Sequence, residues 1–450
     1  MWVELHFVSL LASEIFAMST PRKVAFATLG CKLNYAETSA IARKFAEEGY
    51  QRTPFSQKAD IYVINTCTVT QAADKKCRNL ISKALRNKPG AIVAVVGCYA
   101  QLRSRELAGL GNVDIVLGTK EKFDILRYLK EFEANRQSII QTCTIEQVNE
   151  FMPASSISDR TRAFLKIQDG CDYKCSYCTV PLARGRSRNE PVSEIVQQVN
   201  ELTHNGIKEI VLTGVNIGDF GKSTGETFFD LIRELDKTTA EVRFRISSIE
   251  PNLLTDEMID FIASSNHFVP HFHIPLQSGC DTVLAAMRRR YKREVFAGRV
   301  QKILERIPDA CIGADVISGF PGETEEHFNQ TYEFLKNLPI SYLHAFTYSE
   351  RDNTPAASLP GKVAHAEREE RTHTLISLSE EKRRAFYHAH LGTTRKVIFE
   401  SARKNGFMSG FTDNYIRVEM PYDTGMINKE IPISLVKINP SGNVLGKIPS

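Results

Sequence analysis

The sequence predicts an α/β protein with three folded parts: an amino-terminal open parallel sheet flanked by helices, a central partial (β/α)6 barrel, and a small carboxy-terminal β-barrel. Three observations support this prediction. From residue 22, apolar runs alternate with amphipathic segments, which is typical of parallel sheets covered by helices. Six more strand–helix units follow from residue 162, too few to close an eight-stranded barrel. After residue 392 the chain changes to short β-like runs separated by turn residues.

The changes in pattern also predict where each part begins and ends. The expected boundaries in chain order are 1–21 for an extension, 22–136 for the first domain, 137–158 for a linker, 159–390 for the barrel domain, and 391–450 for the last domain.

The composition is that of an ordinary globular protein. The 450 residues are 42% hydrophobic and 24% charged, with a formal net charge of +4. With so mild a charge, a nucleic acid would be bound by local basic patches rather than by a global field. Ten cysteines are too few for a disulfide scaffold and favour metal binding in a reducing compartment, so we expect a cytoplasmic protein. We find no apolar run of about eighteen residues and expect no membrane span.

The first seventeen residues superficially resemble a signal peptide. They lack a basic start, however, and Glu4 and Glu14 interrupt the apolar stretch. Met18 offers a second start, so we interpret residues 1–17 as an upstream-start extension without function.

Cysteines follow the predicted strands of the first domain. Strands are expected at 23–29, 60–65, 91–96 and 114–117, and helices at 36–48, 72–86 and 122–129. Cys31, Cys67 and Cys98 each come directly after a strand, and the carboxyl ends of parallel strands meet at one edge of a sheet. The placement predicts a three-thiolate iron-sulfur cluster with one open iron. The alternative is coincidence combined with a phosphate-binding loop. Cys77 and Cys143 lack this placement and are interpreted as ordinary thiols.

A second group of cysteines lies within residues 171–178, CDYKCSYC. Cys171, Cys175 and Cys178 can converge on one metal centre because the chain between them is short. A structural zinc site usually has four ligands in two clusters, and no fourth cysteine follows nearby. The pattern therefore favours a four-iron cluster with one open iron over a zinc knuckle.

The barrel domain should carry its site at the carboxyl ends of its strands. Strands are expected at 163–168, 209–213, 242–247, 271–275, 312–317 and 342–347, with helices at 192–204, 227–236, 255–264, 293–306 and 325–337. The cysteine group follows the first of these strands directly. The glycine of Thr213-Gly214-Val215-Asn216 permits close approach of the backbone to a ligand.

Several motifs resemble those of the methylthiotransferase family of radical S-adenosylmethionine (radical SAM) enzymes. The octapeptide resembles the radical SAM signature, including the aromatic Tyr177, and 28–38 (TLGCKLNYAET), 64–70 (INTCTVT) and 97–101 (GCYAQ) resemble the family's amino-terminal domain. The GCKLN form resembles the branch that acts on N6-threonylcarbamoyladenosine in tRNA, the MtaB type. Residues 319–324 (GFPGET) resemble the turn that borders the adenine of the cofactor.

The resemblance implies two [4Fe-4S] clusters and S-adenosylmethionine as cofactors. It assigns one cluster to each cysteine triplet. The residues expected to contact S-adenosylmethionine are Tyr177, Thr213, Gly214, Asn216, Ser247, Ser248, Glu250, Gln277, Asp315 and Gly319. No general base is evident from the sequence.

Basic runs and the carboxy-terminal segment suggest RNA binding. The arginines proposed to contact RNA are Arg184, Arg186, Arg188, Arg288, Arg289 and Arg290. Such runs are often only solvated faces, but both lie near the predicted barrel mouth. Arg184 could instead orient cofactor or substrate. The last domain, with strands at 394–400, 407–412, 415–418 and 431–438, resembles the RNA-binding TRAM module at 406–420; a capping barrel is the alternative.

Together these features predict an enzyme that inserts a methylthio group at C2 of N6-threonylcarbamoyladenosine at tRNA position 37. The expected partners are the tRNA anticodon stem-loop and an electron donor such as flavodoxin or ferredoxin, and the protein is expected to be a monomer. The sequence does not identify the sulfur donor. Alternatives are the same reaction on N6-isopentenyladenosine or on a ribosomal-protein aspartate, and a non-catalytic iron-sulfur RNA-binding protein.

Overall fold

A computed structural model describes residues 21–67, 71–157 and 161–449. The interpretation of residues 1–17 as an extension lies outside these described residues. Within them, no helix is both long enough and apolar enough to span a bilayer.

The first part is a six-stranded parallel sheet with helices on both faces. Its strands are β1 (Lys23–Thr28), β2 (Gln51–Thr53), β3 (Ile61–Thr66), β4 (Ile92–Gly97), β5 (Ile115–Leu117) and β6 (Ile139–Gln141). Its helices are α1 (Lys32–Glu47), α2 (Gln71–Asn87), α3 (Cys98–Leu102), α4 (Ser104–Ala108) and α5 (Ile125–Asn135). The strand order β2-β1-β3-β4-β5-β6 confirms the predicted open parallel sheet.

Two strands of this sheet were absent from the prediction. Both β2 and β6 are three residues long and lie at opposite edges of the sheet, so each has a single neighbour. Strand β6 lies inside 137–158, which the sequence assigned to a linker; its pairing with β5 makes that stretch part of the first sheet.

The second part is the predicted partial barrel. Its strands are β7 (Arg162–Lys166), β8 (Glu209–Thr213), β9 (Arg243–Ile246), β10 (His271–Gln277), β11 (Cys311–Ser318) and β12 (Tyr342–Thr347). They form two three-stranded parallel sheets, β7-β8-β9 and β10-β11-β12. Single bridges from Phe244 to Phe268 and from Ser248 to His273 join the two sheets along β9 and β10.

The second part contains eight α-helices in the described residues, most of them on the outside of the partial barrel. They are α6 (Val180–Arg184), α7 (Val192–His204), α8 (Phe228–Leu235), α9 (Asp256–Ser264), α10 (Asp281–Ala286), α11 (Arg293–Arg306), α12 (Glu325–Asn337) and α13 (His365–Ala389). Alternate strand residues such as Ala163 and Leu165 pack outward in the largest hydrophobic core. Their neighbours Arg162, Phe164 and Lys166 therefore face the inside of the barrel.

Helix α1 of the first part packs against this inner face. Tyr35 meets Phe164 edge-to-face with ring centroids 5.7 Å apart. Ala36 and Ala40 share a small core with Phe164 and Val211. The helix that follows Cys31 thus lies at the barrel interior.

The third part is a closed five-stranded barrel. Its strands are β13 (Thr394–Lys404), β14 (Phe407–Thr412), β15 (Arg417–Pro421), β16 (Glu430–Ile438) and β17 (Val444–Lys447), in the order β13-β14-β15-β17-β16. The short β17 was not predicted. It pairs in parallel with β15, whereas the other strand pairs of this barrel are antiparallel.

Buried arginines attach this barrel to the starts of β7, β8 and β9. Glu209 lies 2.6 Å from Arg243, 3.0 Å from Arg245 and 3.8 Å from Arg162. Arg245 also donates to the carbonyl oxygens of Thr412 and Asp413. The third part therefore lies against the end of the partial barrel opposite to Cys171.

Candidate functional site

The loop that carries Cys171 is held by backbone contacts after β7. Asp169 and Arg188 exchange two backbone hydrogen bonds of 3.0 and 2.9 Å, and the N–H of Cys171 donates to the Gly185 carbonyl at 3.0 Å. Gly170 has φ +70°, and a Cβ there would lie 2.0 Å from the Arg186 carbonyl oxygen. Only glycine fits this approach, so the loop geometry depends on Gly170.

The three thiols of this loop lie in an enclosed environment. Burial raises the pKa of Cys178 to about 12, and Cys175 and Cys171 act in the same direction. Burial likewise raises the pKa of Cys171 to about 12. The free thiols therefore hold their protons, and binding of a cationic metal centre would release them.

Arg289 contacts this cysteine group directly. Its Nη1 donates to Cys175 Sγ at 3.2 Å and to the Tyr177 hydroxyl at 3.5 Å. Its other amino group pairs with Glu250. With 3% of its side chain exposed, Arg289 is not available to an RNA backbone, so its predicted RNA role is wrong and it belongs to the cysteine site.

Cys31, Cys67 and Cys98 lie at the carboxyl ends of β1, β3 and β4, as predicted. A Cβ on Gly30, which precedes Cys31, would lie 2.6 Å from Cys67 Cβ and 3.0 Å from its Sγ. Asn34 Nδ2 ties the two loops together by donating to the carbonyls of Leu29 at 2.8 Å and Thr66 at 3.0 Å. Cys98 begins α3 and is buried.

The two thiols interpreted as ordinary have different surroundings. Cys77 is fully buried among hydrophobic side chains of the first sheet, consistent with packing. Cys143 is partly exposed, and its carbonyl accepts a hydrogen bond of 2.8 Å from Gln101.

A buried ion-pair network joins the first part to the cysteine loop of the barrel. Arg184 donates to both oxygens of Glu37 at 3.0 Å and to Asp169 at 2.9 Å. Lys122 and Lys166 lie 2.6 and 3.1 Å from Glu37. Burial alone would raise the pKa of Glu37, but the charges of Arg184, Lys122 and Lys166 outweigh it and hold the pKa well below its usual range.

This network corrects two further RNA predictions. Arg184 is buried, and Arg188 donates to Asp169 at 3.0 Å and to the Glu150 carbonyl at 2.8 Å. Neither guanidinium group can reach an RNA phosphate. The alternative kept for Arg184, an internal orienting role, agrees with these contacts. Arg186 has 89% of its side chain exposed, and Arg288 and Arg290 are also exposed, so their RNA role stays a prediction.

A cavity of about 200 Å³ opens beside Cys178. Three of the predicted cofactor residues line it: Tyr177, Gln277 and Asp315. Gln277 adopts φ +69° where the pairing of β10 with β11 shifts register. A non-glycine residue in this region of φ is uncommon and is found where surrounding structure enforces it. Apolar walls come from Ile317, Phe346 and Tyr348.

Comparison with known proteins agrees with this geometry. Residues 165–335 match the radical SAM superfamily, and residues 23–118 match the uncharacterized protein family UPF0004. The threonylcarbamoyladenosine tRNA methylthiotransferase MtaB of Bacillus subtilis is 42% identical over 92% of this chain and 94% of its own. The chain belongs to the radical SAM methylthiotransferases of the MtaB type.

Other relatives place this methylthiotransferase in a wider group. MtaB of Aquifex aeolicus is 40% identical over 88% of this chain and 96% of its own. The tRNA-2-methylthio-N(6)-dimethylallyladenosine synthase of Clostridium tetani is 33% identical over 91% of this chain and 93% of its own. The structure of the radical SAM methyltransferase TsrM of Kitasatospora setae has the same fold, with a TM-score of 0.54. It is 14% identical over 75% of this chain and 77% of its own.

Membership implies S-adenosylmethionine and [4Fe-4S] clusters as cofactors, and the methylthiotransferase site fits them. Ser247 Oγ and both amide atoms of Asn216 are buried without a hydrogen-bond partner among the described residues. Buried polar atoms normally have partners, so these orphans fit a polar ligand. Gln168 Oε1 fixes the loop by accepting from the N–H groups of Val215 and Asn216, both at 2.9 Å.

Other residues predicted to contact S-adenosylmethionine are already engaged by contacts within the protein. Thr213 donates to its own strand at the Val211 carbonyl, and Ser248 bridges to His273. Gly214 lies against Gln168, where a Cβ would approach Oε1 to 2.8 Å. At Gly319 a Cβ would lie 2.3 Å from Arg368 Cγ, so packing against Arg368 requires this glycine and fills that side of the loop.

Sequence reasoning missed a hydrogen-bonded group inside the barrel. Asp315 accepts from His273 Nε2 at 2.8 Å and His344 Nδ1 at 3.2 Å. Burial opposes ionisation of Asp315, but both imidazoles favour it and the pKa lies well below its usual range. The signal was the inward register of three adjacent strands: Asp315 of β11 pairs directly with His344 of β12, and His273 of β10 pairs with Gly313, two residues before Asp315 on the same face.

Lys32 was also missed as a candidate site residue. Burial, and then the charges of Arg162 and Arg245, lower the pKa of Lys32 to about 8, whereas Asp315 and Cys31 act in the opposite direction. Its side chain is nevertheless reached by solvent. The barrel charges that act on Lys32 belong to β7, β9 and β11, so its side chain lies toward the inside of the partial barrel.

Proposed function

We propose that this protein inserts a methylthio group at C2 of N6-threonylcarbamoyladenosine at position 37 of tRNA, with two [4Fe-4S] clusters. The relatives named MtaB, at 33–42% identity, support this substrate. Relatives named for dimethylallyladenosine, at 31–34%, support the reaction class. The observation that carries the proposal is the triplet Cys31, Cys67 and Cys98, in a domain whose helix α1 packs against the inner face of β7.

In this proposal Cys171, Cys175 and Cys178 hold the cluster that binds S-adenosylmethionine, and Cys31, Cys67 and Cys98 hold the auxiliary cluster. When bound, S-adenosylmethionine and the clusters supply the radical chemistry and the methylthio group.

The chain's own residues bind and shield these groups. Asn216 and Ser247 offer their unpartnered polar atoms to S-adenosylmethionine, and Gln168 holds the loop that carries Asn216. Arg289 places positive charge beside Cys175, which favours the anionic thiolate. The apolar walls of the cavity beside Cys178 exclude water from a reactive site.

Substrate RNA would approach along the exposed arginines. In this proposal Arg186, Arg288 and Arg290, which are exposed, bind phosphates. Arg290 also lies 4.0 Å from the centre of the Tyr173 ring. We assign residues 391–450, as a TRAM-like module, to additional RNA binding. A flavodoxin or ferredoxin would supply electrons to a cytoplasmic monomer.

The direct test supplies anaerobically reconstituted, reduced protein with S-adenosylmethionine and three substrates: stem-loop RNA with threonylcarbamoyladenosine, stem-loop RNA with isopentenyladenosine, and the ribosomal-protein substrate. Mass spectrometry of the products should find methylthiolation of the first only. Product from only one of the other two would overturn the proposed substrate. Absence of 5′-deoxyadenosine would overturn the enzyme assignment.

A further inference from the structure

The position of Lys32 on α1 directs its side chain into the partial barrel. Residues three and four apart share one face of a helix, so Lys32 lies on the face of Tyr35 and Ala36. These two residues pack with Phe164 and Val211 on the inner face of β7 and β8. Arg162 lies on the same face of β7, two residues before Phe164. Lys32 and Arg162 are therefore neighbours on the inner face of the barrel.

The ammonium group of Lys32 has no hydrogen bond or ion pair with any other residue in the described ranges. The acids around it are already engaged. Asp315 accepts from His273 and His344. Glu209 is shared by Arg162, Arg243 and Arg245, and Glu400 pairs with Arg162 at 3.1 Å.

A second donor in the same region is also without a partner. Arg162 Nε is buried and has no acceptor in the part of the chain that the structure describes. Solvent reaches the Lys32 ammonium, but Arg162 Nε is shielded from water, and a buried donor normally has an acceptor. A bound anion would pair with Lys32 and offer Arg162 Nε an acceptor.

We propose that Lys32, with Arg162 behind it, binds the carboxylate of the threonylcarbamoyl substituent and so selects the anionic substrate over an apolar one. The inference rests on the proposed function. A dimethylallyl substituent has no charge to pair with Lys32, and burying an unpaired ammonium against it would be costly.

The carboxylate of S-adenosylmethionine is the other possible anion. The orphan atoms that fit this cofactor, on Asn216 and Ser247, follow the carboxyl ends of β8 and β9. Arg162 is instead the first residue of β7, at the opposite end of that strand from Cys171. Position in the barrel thus favours the substrate carboxylate.

The test uses holoenzyme and compares the wild-type chain with Lys32→Gln and with the matched control Lys58→Gln, an exposed lysine of the first part. Anaerobic binding is measured for stem-loop RNA with threonylcarbamoyladenosine and for its methyl ester, in which the carboxylate is neutral. Iron content is determined for each protein to verify equal cluster loading.

Lys32→Gln should weaken binding of the acid about tenfold or more while changing binding of the ester little, because only the acid loses a charge-assisted bond. Lys58→Gln should change the binding of neither RNA.

Equal weakening of acid and ester binding by Lys32→Gln would overturn the proposal by showing a structural role. Weaker binding of S-adenosylmethionine by Lys32→Gln would also overturn it, since the cofactor would then be the anion. If the wild-type chain modifies only isopentenyladenosine, the proposed function fails; if it modifies the acid and Lys32→Gln retains full preference for it, only this inference fails.

Discussion

Arg184 donates hydrogen bonds of 3.0 Å to both carboxylate oxygens of Glu37, which joins the first sheet to the cysteine loop of the barrel. The residues lie 147 positions apart in the chain. Since α1 begins directly after Cys31 and Arg184 lies six residues after Cys178, this pair fixes one proposed cluster site relative to the other.

Removing the Glu37 charge should destabilise the protein strongly. Glu37→Gln leaves Arg184, Lys122 and Lys166 buried with one carboxylate fewer, and loss of one partner from a buried ion pair costs roughly 3–5 kcal/mol of unfolding free energy. Denaturant unfolding of the apo-protein measures the loss. The control Glu48→Gln removes an exposed pair with Lys130 and should cost less than about 1 kcal/mol. Similar losses for both variants would contradict the importance of the network.

The same network predicts acid sensitivity. The pKa of Glu37 in the folded protein lies below its value of 4.5 in the unfolded chain, so its contribution to stability is fully present above about pH 4.5 and declines as the pH falls toward the folded-state pKa. Unfolding free energy measured between pH 7 and pH 3 should fall more steeply for wild type than for Glu37→Gln. Parallel curves would show that Glu37 does not titrate as described.

Arg289 should set the reduction potential of the cluster held by Cys171, Cys175 and Cys178. A cationic donor to Cys175 Sγ stabilises the reduced cluster, which is more negative than the oxidised one. Arg289→Met should therefore lower the reduction potential by roughly 60 mV or more, which is a tenfold change in the equilibrium constant of a one-electron reduction. Redox titration followed by electron paramagnetic resonance measures it. The exposed neighbour Arg288→Met is the control, and equal potentials in all three proteins would refute the assignment.

Gly170 should be required for assembly of that cluster. In Gly170→Ala the new methyl group meets the Arg186 carbonyl at 2.0 Å, so the loop must move and cluster iron should be lost. The control is Gly206→Ala. Gly206 also has a positive φ, +79°, but a Cβ added there would have no atom within 4 Å, so this variant should show only the backbone strain of about 1–2 kcal/mol. Full iron content in Gly170→Ala would show that the loop tolerates a side chain.

Exposed arginines should contribute to RNA affinity through phosphates. Arg186→Gln and Arg290→Gln should each weaken tRNA binding regardless of sequence and reduce the slope of log affinity against log salt by about 1. Arg52→Gln, on the edge strand β2, serves as the control. Unchanged slopes in both variants would place the RNA path elsewhere.

Local patterns in the sequence predicted most of the fold. The strands Glu209–Thr213 and Tyr342–Thr347 were predicted with the correct bounds because each is a short, mainly apolar run between turn signals. Edge strands such as Gln51–Thr53 were missed, since three residues carry no periodic signal. The positions of Cys31, Cys67 and Cys98 after strands followed from the same patterns.

Contacts between distant residues could not be predicted in this way. Arg184, Arg188 and Arg289 lie in basic runs, which usually indicate a solvated face. In the fold each is withdrawn from solvent and forms an ion pair with an acidic side chain. Glu37 and Glu250, which pair with Arg184 and Arg289, have no local feature that marks them as partners. The same holds for Lys32, whose surroundings come from three different strands.

The central claim is that two cysteine triplets hold two clusters with separate duties. Iron per chain and 5′-deoxyadenosine formation, measured together on anaerobically reconstituted protein, test it most directly. Wild type should hold about eight irons, and alanine in place of Cys31, Cys67 and Cys98 should leave about four, with cleavage of S-adenosylmethionine intact and sulfur insertion abolished. Alanine in place of Cys171, Cys175 and Cys178 should also leave about four irons but abolish cleavage. Zinc in place of iron, or undiminished iron in either triple variant, would contradict the account.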